Sequence, residues 1–391
     1  MGGARIYLDH HATTPVDPVV LQEMLPFFSE RYGNPSGRQH SFGEEADRAV
    51  QQARERVAEL IGATPADIVF TSGATESDNL AIRGVARAAG RGHLVVTAIE
   101  HAAVLEPCRS LEREGFTVTR VPVGPSGIVA VDAIASALQR DTILVSVMAA
   151  NNEIGTLQPI AEIGRLCRER GIVFHSDAVQ AVGRVPADVD AWGVDLMSLS
   201  AHKMYGPKGV GALYVRKART PRVRLKPQME GGGQEKGLRP GTLNVPGIVG
   251  LGAAARAAGL ALGGGEAQRI GALRDRLLEG LGSRIDGLEV NGDLSARLPG
   301  NLHVSIPRAE AETLILSLGG RIAISSGAAC SEAGGKGSHV LRALGLGDDR
   351  IYTAIRFGVG RTNTEAEIDS VVVALADAVA VARNRSSAAA R

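Results

Sequence analysis

Short apolar runs alternate with longer amphipathic segments along the chain from about residue 66. The runs are IVFTSG, HLVVTAIEH, TILVSVMAANNE, GIVFHSDA, DLMSLSAHK and GALYVRK. Helical periodicity follows the first three, from Glu76, over 102–114 and over 160–170. Apolar runs without alternation predict strands buried on both faces, and the intervening helices predict right-handed crossovers. The pattern therefore predicts an α/β protein with a mostly parallel sheet flanked by helices.

The pattern changes at residues 254–268, AARAAGLALGGGEAQ, which are apolar and rich in glycine. Beyond them come a helix, the runs NLHVSIP, RIAISSG and YTAIRFG, and a final helix from about Thr364. With 391 residues the chain is long enough for two domains. We predict a large domain at residues 15–258 and a smaller α/β domain formed by residues 1–14 and 259–391, with a loop at about 325–337.

Composition narrows the range of partners. The chain has 43 Lys and Arg against 42 Asp and Glu, a formal net charge of +1, which gives no reason to expect nucleic acid or an anionic membrane. We identify neither a signal-peptide core in MGGARIYLDHHATTP nor an apolar run long enough to span a bilayer. The three cysteines form no CxxC pair, which is typical of a reducing compartment. We expect a cytoplasmic protein.

Polar residues follow the predicted strands at their carboxyl ends, where ligands collect in parallel sheets. Asp177 ends GIVFHSDA, and Lys203 closes SLSAHK. A lysine that binds an aldehyde and a carboxylate that keeps a pyridine nitrogen protonated are the groups by which proteins hold pyridoxal 5′-phosphate (PLP). Lys203 and Asp177 therefore predict PLP as the cofactor.

The segment SGATES at residues 72–77 follows a strand and opens a helix. Its free backbone amides, including that of Ala74, and the hydroxyl of Thr75 suit one phosphate, although an ordinary helix cap explains the same residues. Neither GxxxxGK[ST] nor GxGxxG occurs in the chain, which argues against nucleoside triphosphates and dinucleotides. A single phosphate is consistent with PLP.

Other polar side chains at this sheet edge are candidates for the same site. His101 has a flat ring that can stack on a heterocycle and exchange protons near neutral pH. Gln180 is placed to reach the phenolic oxygen of PLP, and Ser200 and His202 to donate to its phosphate. Taken alone, each of them is equally explained as a structural residue at a strand end.

Arg356 lies inside the apolar run YTAIRFG, where an unpaired charge is costly, so it needs a carboxylate partner. That partner is either a ligand or an internal Asp or Glu, and Asn152 is placed to bind the same ligand carboxylate. Cys330 lies among small residues in ISSGAACSEAGGKGSHV, which cannot bury it and allow the loop to move. Cys108 and Cys167, on helix-like segments, are predicted to be inert.

Together these segments resemble the cysteine desulfurases, the NifS- and IscS-like branch of the class V aminotransferases, which has the type I PLP-dependent transferase fold. The resemblance covers nearly the whole chain. Its matching segments are YLDHHATTPVDP, FTSGATES, EHAAVL, NNEIG, HSDAVQ, SLSAHKMYGPKGVGALYVR, GGGQEKGLRPGTLNV, LPGNLHVS, ISSGAAC, SHVLRALGL and IRFGVGR. The cysteine segment and GGGQEKGLRPGT restrict it to desulfurases.

The resemblance implies a role for each candidate residue. Lys203 would form the Schiff base and Cys330 would accept sulfur, with His101 stacked on the ring and moving a proton. The other implied PLP contacts are Ala74, Thr75, Asn152, Asp177, Gln180, Ser200, His202 and, from a second subunit, Thr242. Asn152 and Arg356, with Asn34 as a further candidate, would bind the substrate.

The implied reaction removes sulfur from L-cysteine and leaves L-alanine and a persulfide on Cys330. A homodimer is implied, as is a sulfur-acceptor protein such as an iron–sulfur scaffold or a thiolation enzyme. No resident metal is expected, although Cys330 is a candidate transient ligand of an iron–sulfur cluster. A selenocysteine lyase, a cysteine or cystine C–S lyase and a non-catalytic assembly scaffold on the same fold are the alternatives.

Four departures from the usual family wording leave the acceptor undefined. Gly37 and Gly358 stand where Ser is common, Ala328 replaces Ser before the cysteine, and Lys336-Gly337 replaces Glu-Pro. The spacing from Cys330 to Ser338 resembles that of the long-loop group. None of these changes removes a residue to which the resemblance gives a chemical role.

Overall fold

The computed structural model describes residues 5–218, 222–326 and 337–389. Within these residues the strands are β1 Ile6–Tyr7, β2 Ile68–Thr71, β3 His93–Thr97, β4 Thr117–Val121, β5 Thr142–Ser146, β6 Val173–Asp177, β7 Leu196–Ser200, β8 Gly211–Val215, β9 Glu289–Val290, β10 Asn301–Ser305, β11 Ile322–Ala323 and β12 Ala354–Gly358. The α-helices are α1 Pro18–Met24, α2 Pro26–Ser29, α3 Ser41–Leu60, α4 Ala74–Ala89, α5 Ala102–Arg113, α6 Val131–Ala137, α7 Ile160–Glu169, α8 Val189–Trp192, α9 Val245–Gly263, α10 Glu266–Gly282, α11 Ala311–Ser317, α12 His339–Ala343, α13 Asp348–Ile351 and α14 Glu365–Ala389.

The largest sheet has seven strands in the order β2-β8-β7-β6-β5-β3-β4. The pairs from β4 to β7 are parallel, whereas β8 is antiparallel to both β7 and β2. Central strands such as β3 and β7 are buried along their whole length, which explains why their sequences show no alternation. The predicted mostly parallel mixed sheet is confirmed.

Helices cover both faces of this sheet. On one face α3 packs along α9, and the contact is close because Gly252 lies against α3, where an added Cβ would lie 2.5 Å from the Cα of Ala53. On the other face α4 and α5 bury Leu80, Val104 and Leu111 against the strands. The predicted helices after β2, β3 and β5 are present as α4, α5 and α7.

Helix α9 differs from what the sequence suggested. It runs from Val245 to Gly263, through the segment at which we placed the change of pattern, and by length and composition it could span a membrane. We had identified no such run. In the folded protein 61% of this stretch is buried, because the helix packs on α1 and α3. Its apolar composition is that of a core helix.

A second core forms around the three-stranded sheet, in which β10 pairs antiparallel with β12 and β9. Leu302, Phe357 and residues of α10, α11 and α14 fill it. Leu8 from the N-terminal segment belongs to the same core, and β1 beside it pairs with β11. The N-terminal residues are therefore attached to the C-terminal part of the chain. The domain boundary at residue 258 stays a prediction.

Leucine truncations on one helix test this second core. Leu314 and Leu316 both lie on α11, but Leu314 is 0% exposed and Leu316 is 78% exposed. Leu314→Ala should lower the free energy of unfolding by about 3 kcal/mol, because it removes buried methyl groups and leaves a cavity. Leu316→Ala should change it by less than about 0.5 kcal/mol. Urea unfolding of both variants checks the difference, and equal losses would contradict this packing.

Candidate active site

A cavity of about 590 Å³ lies at the carboxyl ends of the parallel strands. Loops after β3, β5, β6 and β7 line it together with the N-terminal segment and the start of α4. Ten of the site residues predicted from the sequence line this cavity: Ala74, Thr75, His101, Asn152, Asp177, Gln180, Ser200, His202, Lys203 and Arg356. Residues from both ends of the chain therefore meet at one edge of the sheet.

Three predicted residues are not placed there. Asn34 is exposed, and its side chain accepts a hydrogen bond from the backbone amide of Ser36. Thr242 is exposed as well and does not line the cavity of its own chain. Cys330, with most of its predicted loop, lies outside the described residues. The roles suggested for these three residues stay predictions.

Residues 72–75, which we call the anion cradle, connect β2 to α4. No side chain caps the first turn of α4, whose N-cap residue is Gly73, so backbone amides of this turn remain available to a ligand. The cradle approaches β8 closely, since a Cβ added to Gly211 would lie 2.8 Å from the Cα of Gly73. With Ser200 and His202 on the same cavity wall, the cradle suits a phosphate.

Lys203 follows β7 in a short 3₁₀ turn, and its Nζ lines the cavity. The amine donates to the backbone carbonyls of His11 and Ala12, at 2.7 and 2.6 Å. Two carbonyl acceptors restrict the positions that this long side chain can take. The N-terminal segment thus positions the amine, a contribution that is not evident from its sequence, YLDHHATTPVDP.

A buried polar cluster that contains Gln180 and Arg184 holds the N-terminal segment in place. Gln180 Nε2 donates to the carbonyl of His11 at 3.0 Å, and Arg184 Nη1 donates to Gln180 Oε1 at 2.8 Å. Arg184 also donates to the carbonyls of His10 and Lys203. Burial lowers the pKa of Arg184 to about 10, so the guanidinium stays charged at neutral pH. Gln180 retains a second amide hydrogen for a ligand in the cavity.

Asp177 ends β6 and is buried, with its Oδ1 accepting from the amide of Val179 at 3.0 Å. Burial raises the pKa of Asp177, and the nearby His101, Lys203 and amide of Val179 oppose that effect. A cationic partner inside the cavity would stabilise the carboxylate, and a protonated pyridine nitrogen is such a partner. Asp177, Lys203 and the anion cradle therefore fit PLP.

His101 precedes α5, and its ring caps that helix. Nδ1 accepts a hydrogen bond from the amide of Ala103 at 3.1 Å. Because a backbone amide only donates, the hydrogen of the neutral ring is assigned to Nε2. His101 thus has one nitrogen committed to the helix and the other left for proton exchange in the cavity.

The sequence left open whether Arg356 pairs with a ligand or with an internal carboxylate, and the structure shows its partners. Its Nη2 pairs with Asp9 Oδ1 at 2.8 Å, and its Nη1 donates to the carbonyl of Asn152 at 2.8 Å. Nε is buried without a hydrogen-bond partner among the described residues. The internal ion pair is confirmed, yet Arg356 also lines the cavity. Asp9, 347 residues away in sequence, was missed.

Buried carboxyl groups lie behind the cavity wall. Glu100 Oε1 accepts from the hydroxyl of Thr97 at 2.6 Å and from the amide of Met148 at 2.9 Å, but Oε2 has no partner in the described structure. Burial raises the pKa of Glu100 to about 8. Burial, and secondarily the charge of Asp177, raises the pKa of Asp78 well above its ordinary value. Glu100 is therefore mostly protonated at pH 7, and burial also disfavours the charged form of Asp78.

The chain returns to the described structure at residue 337, close to the cavity. Ser338 donates to the carboxylate of Glu153, and His339 Nε2 donates to the carbonyl of Glu100 at 2.9 Å. Helix α12 then packs Val340 and other apolar residues against the loops that follow β3 and β5. The residues directly after the cysteine segment are thus attached to the wall that carries His101.

The other two cysteines, Cys108 and Cys167, are buried in the interior. Burial raises the pKa of Cys108 to about 12, so it is not a thiolate at neutral pH. Cys167 is buried in the core around α7. The prediction that both are packing residues agrees with these positions. Within the described residues, no group of three or more His, Cys, Asp or Glu side chains could hold a metal ion.

Known proteins are similar to this chain over most of its length. The family description Aminotransferase class-V matches residues 6–371. A protein of Anaeromyxobacter dehalogenans named cysteine desulfurase IscS is 55% identical over 94% of this chain and 90% of its own length. A solved structure titled NifS-like protein has a TM-score of 0.89 and 40% identity, covering 96% of this chain and 100% of its own. Another, titled SspA in complex with cysteine, has a TM-score of 0.79 and 37% identity, covering 90% and 98%.

The sheet topology and the similarity to the NifS-like structure identify a type I PLP-dependent transferase fold. This is the fold that the resemblance implied. The chain belongs to the class V aminotransferase family. The resemblance to its NifS- and IscS-like branch is confirmed.

Glu100 predicts a specific pH dependence of stability. Its folded-state pKa of about 8 is higher than its ordinary value of 4.5, so the stability that comes from holding its proton is fully present below pH 4.5 and is lost as pH rises through 8. Glu100→Gln imitates the protonated group. Between pH 5 and 8 the wild type should lose up to about 1.4 kcal/mol per pH unit relative to this variant. Urea unfolding at several pH values measures the difference; a constant difference would refute a neutral Glu100.

Proposed function

We infer that the chain is a cysteine desulfurase, a PLP-dependent sulfurtransferase that converts L-cysteine to L-alanine and leaves a persulfide on Cys330. The observation that carries this inference is the meeting of Lys203, Asp177 and the anion cradle at one cavity, in a chain that is 55% identical to a curated cysteine desulfurase. The related SspA structure, titled as a complex with cysteine, supports the substrate.

PLP would be held by five groups of contacts. Lys203 would bind it covalently, Asp177 would face its pyridine nitrogen, and the anion cradle with Ser200 and His202 would bind its phosphate. When bound, PLP withdraws electrons from the Cα of an attached amino acid and so makes that proton acidic. His101 would lie against the ring, and Gln180 would donate to the phenolic oxygen with its remaining amide hydrogen.

Lys203 has two successive tasks in this proposal. It would hold the cofactor, and as a free amine it would accept the Cα proton of the substrate at Nζ. The carbonyls of His11 and Ala12 hold the released amine within the cavity. They accept hydrogen bonds only, so they orient Nζ without taking the proton that it carries.

Arg356 and Asn152 would bind the substrate carboxylate. Burial makes the guanidinium a strong anion site, and the pair with Asp9 orients it. Arg356 lines the cavity while it makes this pair, so the side chain can also face a ligand carboxylate. The ion pair and substrate binding are therefore compatible roles of one side chain.

Sulfur transfer is assigned to Cys330 and His101. The Cys330 thiolate attacks the sulfur of the bound cysteine, an S–S bond forms as the Cβ–S bond breaks, and the carbon product becomes alanine after protonation. His101 Nε2 is the group placed to move the thiol proton. Ser338 and His339 bring the chain back to the same wall, so the cysteine segment ends beside the cavity.

A homodimer and a protein acceptor complete the proposal. Thr242 is exposed here and would reach the phosphate site of a second copy. Large apolar side chains between α1 and the start of α3 are 45–66% exposed and offer a surface for that copy: Val19, Leu21, Leu25, Phe28, Tyr32 and Phe42. The acceptor would be an iron–sulfur scaffold or a thiolation protein. Three cysteines without a CxxC pair support a reducing, cytoplasmic location.

Cys330→Ser tests the acceptor thiol. The variant should keep the cofactor absorbance and its change on addition of cysteine, but it should release sulfide at less than about 1% of the wild-type rate when a reductant is present, because serine cannot form a persulfide. Mass spectrometry of the wild type after cysteine should show one added sulfur at Cys330. Sulfide release at the wild-type rate would favour a C–S lyase instead.

Lys203→Ala tests the covalent link to the cofactor. Borohydride should fix PLP to the wild type at Lys203, whereas the variant should bind PLP only reversibly and lose activity by more than about 1,000-fold, since linker and base are both removed. A matched control is Lys208→Ala, which removes an exposed lysine that also lines the cavity. Borohydride fixation that persists in Lys203→Ala would place the link elsewhere.

A further inference from the structure

Residues 231–242 form a loop with an uncommon backbone. Glu235, Lys236 and Gly237 follow one another with φ of 46°, 60° and 78°. Residues other than glycine adopt this left-handed region infrequently, and two of them in succession are rarer still. Contacts elsewhere must therefore hold the loop in this conformation.

Two side chains fasten the loop to β2 and to the turn before it. The Glu235 carboxylate accepts from Arg54 at 2.6 and 2.9 Å and from the amide of Phe70 at 2.8 Å. The guanidinium of Arg54 stacks over the Phe70 ring, 4.5 Å from its centroid. Lys236 Nζ donates to the carbonyl of Ala66 at 2.7 Å. Because β2 leads directly into the anion cradle, the loop is held to the segment that carries the cradle.

A third contact reaches the cradle itself. Arg239 Nε donates to Glu76 Oε1 at 3.0 Å, and Glu76 Oε2 accepts from the amide of Ser72 at 2.7 Å. Glu76 lines the cavity, whereas Arg239 is not among its lining residues in the described part of the chain. Although burial opposes it, the hydrogen bond from Ser72 and the pair with Arg239 lower the pKa of Glu76. The carboxylate is thus ionised at neutral pH.

Glu76 therefore has two opposing effects on an anionic ligand. Its hydrogen bond to Ser72 holds the turn between β2 and α4 in shape, which favours binding. Its negative charge lies beside the same turn and repels a phosphate, which opposes binding. Arg239 removes the repulsion and leaves the hydrogen bond in place, since the two contacts use different carboxylate oxygens.

We propose that Arg239 is a positioning residue for the cofactor: it neutralises Glu76, so that this carboxylate shapes the anion cradle without repelling the phosphate. The proposal rests on the proposed function, because it takes the ligand of the cradle to be the phosphate of PLP. Glu235 and Lys236 already fasten the loop, so the charge of Arg239 is not required to hold its backbone. Its contribution is electrostatic and specific to the phosphate end of the cofactor.

Arg239→Gln tests the proposal by equilibrium binding to the apoenzyme, followed by cofactor absorbance. PLP should bind on the order of tenfold more weakly than to the wild type, and pyridoxal, which lacks the phosphate, should change by less than about twofold. Inorganic phosphate should become a weaker competitor of pyridoxal 5′-phosphate by a similar factor. Thermal unfolding of the apoenzyme verifies that the variant is folded.

Two further variants separate charge from structure. Glu76→Gln combined with Arg239→Gln removes both charges and keeps an acceptor for Ser72, so it should restore PLP affinity to within about threefold of the wild type. Lys236→Gln removes a positive charge from the same loop but keeps a donor for the carbonyl of Ala66, so it should leave PLP affinity unchanged.

Three results would overturn the proposal: unchanged PLP affinity in Arg239→Gln, an equal loss of affinity for PLP and pyridoxal, or no recovery in the double variant. A wild-type apoenzyme that does not take up PLP would overturn the proposed function itself, and the inference with it. The two failures are distinguished by the wild-type measurement alone.

Discussion

The hydrogen bonds from the Lys203 amine to the carbonyls of His11 and Ala12 are the contacts on which the rest of the site depends. The lysine belongs to the seven-stranded sheet, whereas the two carbonyls belong to an N-terminal segment anchored in the second core through Leu8. The two cores must therefore pack correctly before the amine has a defined position. Arg184 strengthens the contact between the N-terminal segment and the seven-stranded sheet, since it donates to the carbonyls of His10 and Lys203.

A second constraint is the number of carboxyl groups buried behind the cavity. Asp78, Glu100 and Asp177 are all withdrawn from solvent, and three neighbouring carboxylates would repel one another strongly. Burial favours the protonated forms of Asp78 and Glu100, and His101 and Lys203 lie next to Asp177. Asp177 is consequently the carboxylate of the three that can stabilise a cation in the cavity.

The sequence was sufficient for the parts that local patterns determine. Uninterrupted apolar runs identified the central strands, and Lys203, Asp177 and His101 follow from their positions at strand ends. It failed where the outcome depends on distant partners. The ion pair of Arg356 with Asp9 could not be told from ligand binding by sequence alone, and β4 was not predicted because its half-exposed residues TVTRV lack an apolar run. Helix α9 was not recognised as one long apolar helix, because a change of pattern was placed at residues 254–268, where the helix in fact continues to Gly263.

Each of the two ends of the cavity that are proposed to bind an anion has an arginine paired with a carboxylate. At the end proposed for the substrate, Asp9 holds Arg356, and the arginine faces the ligand. At the phosphate end the order is reversed: Arg239 lies behind and the carboxylate of Glu76 faces the cavity. The first arrangement attracts an anion through a charge, so it suits a substrate that must bind and leave. The second relies on backbone amides whose turn the carboxylate shapes, which suits a cofactor phosphate that stays.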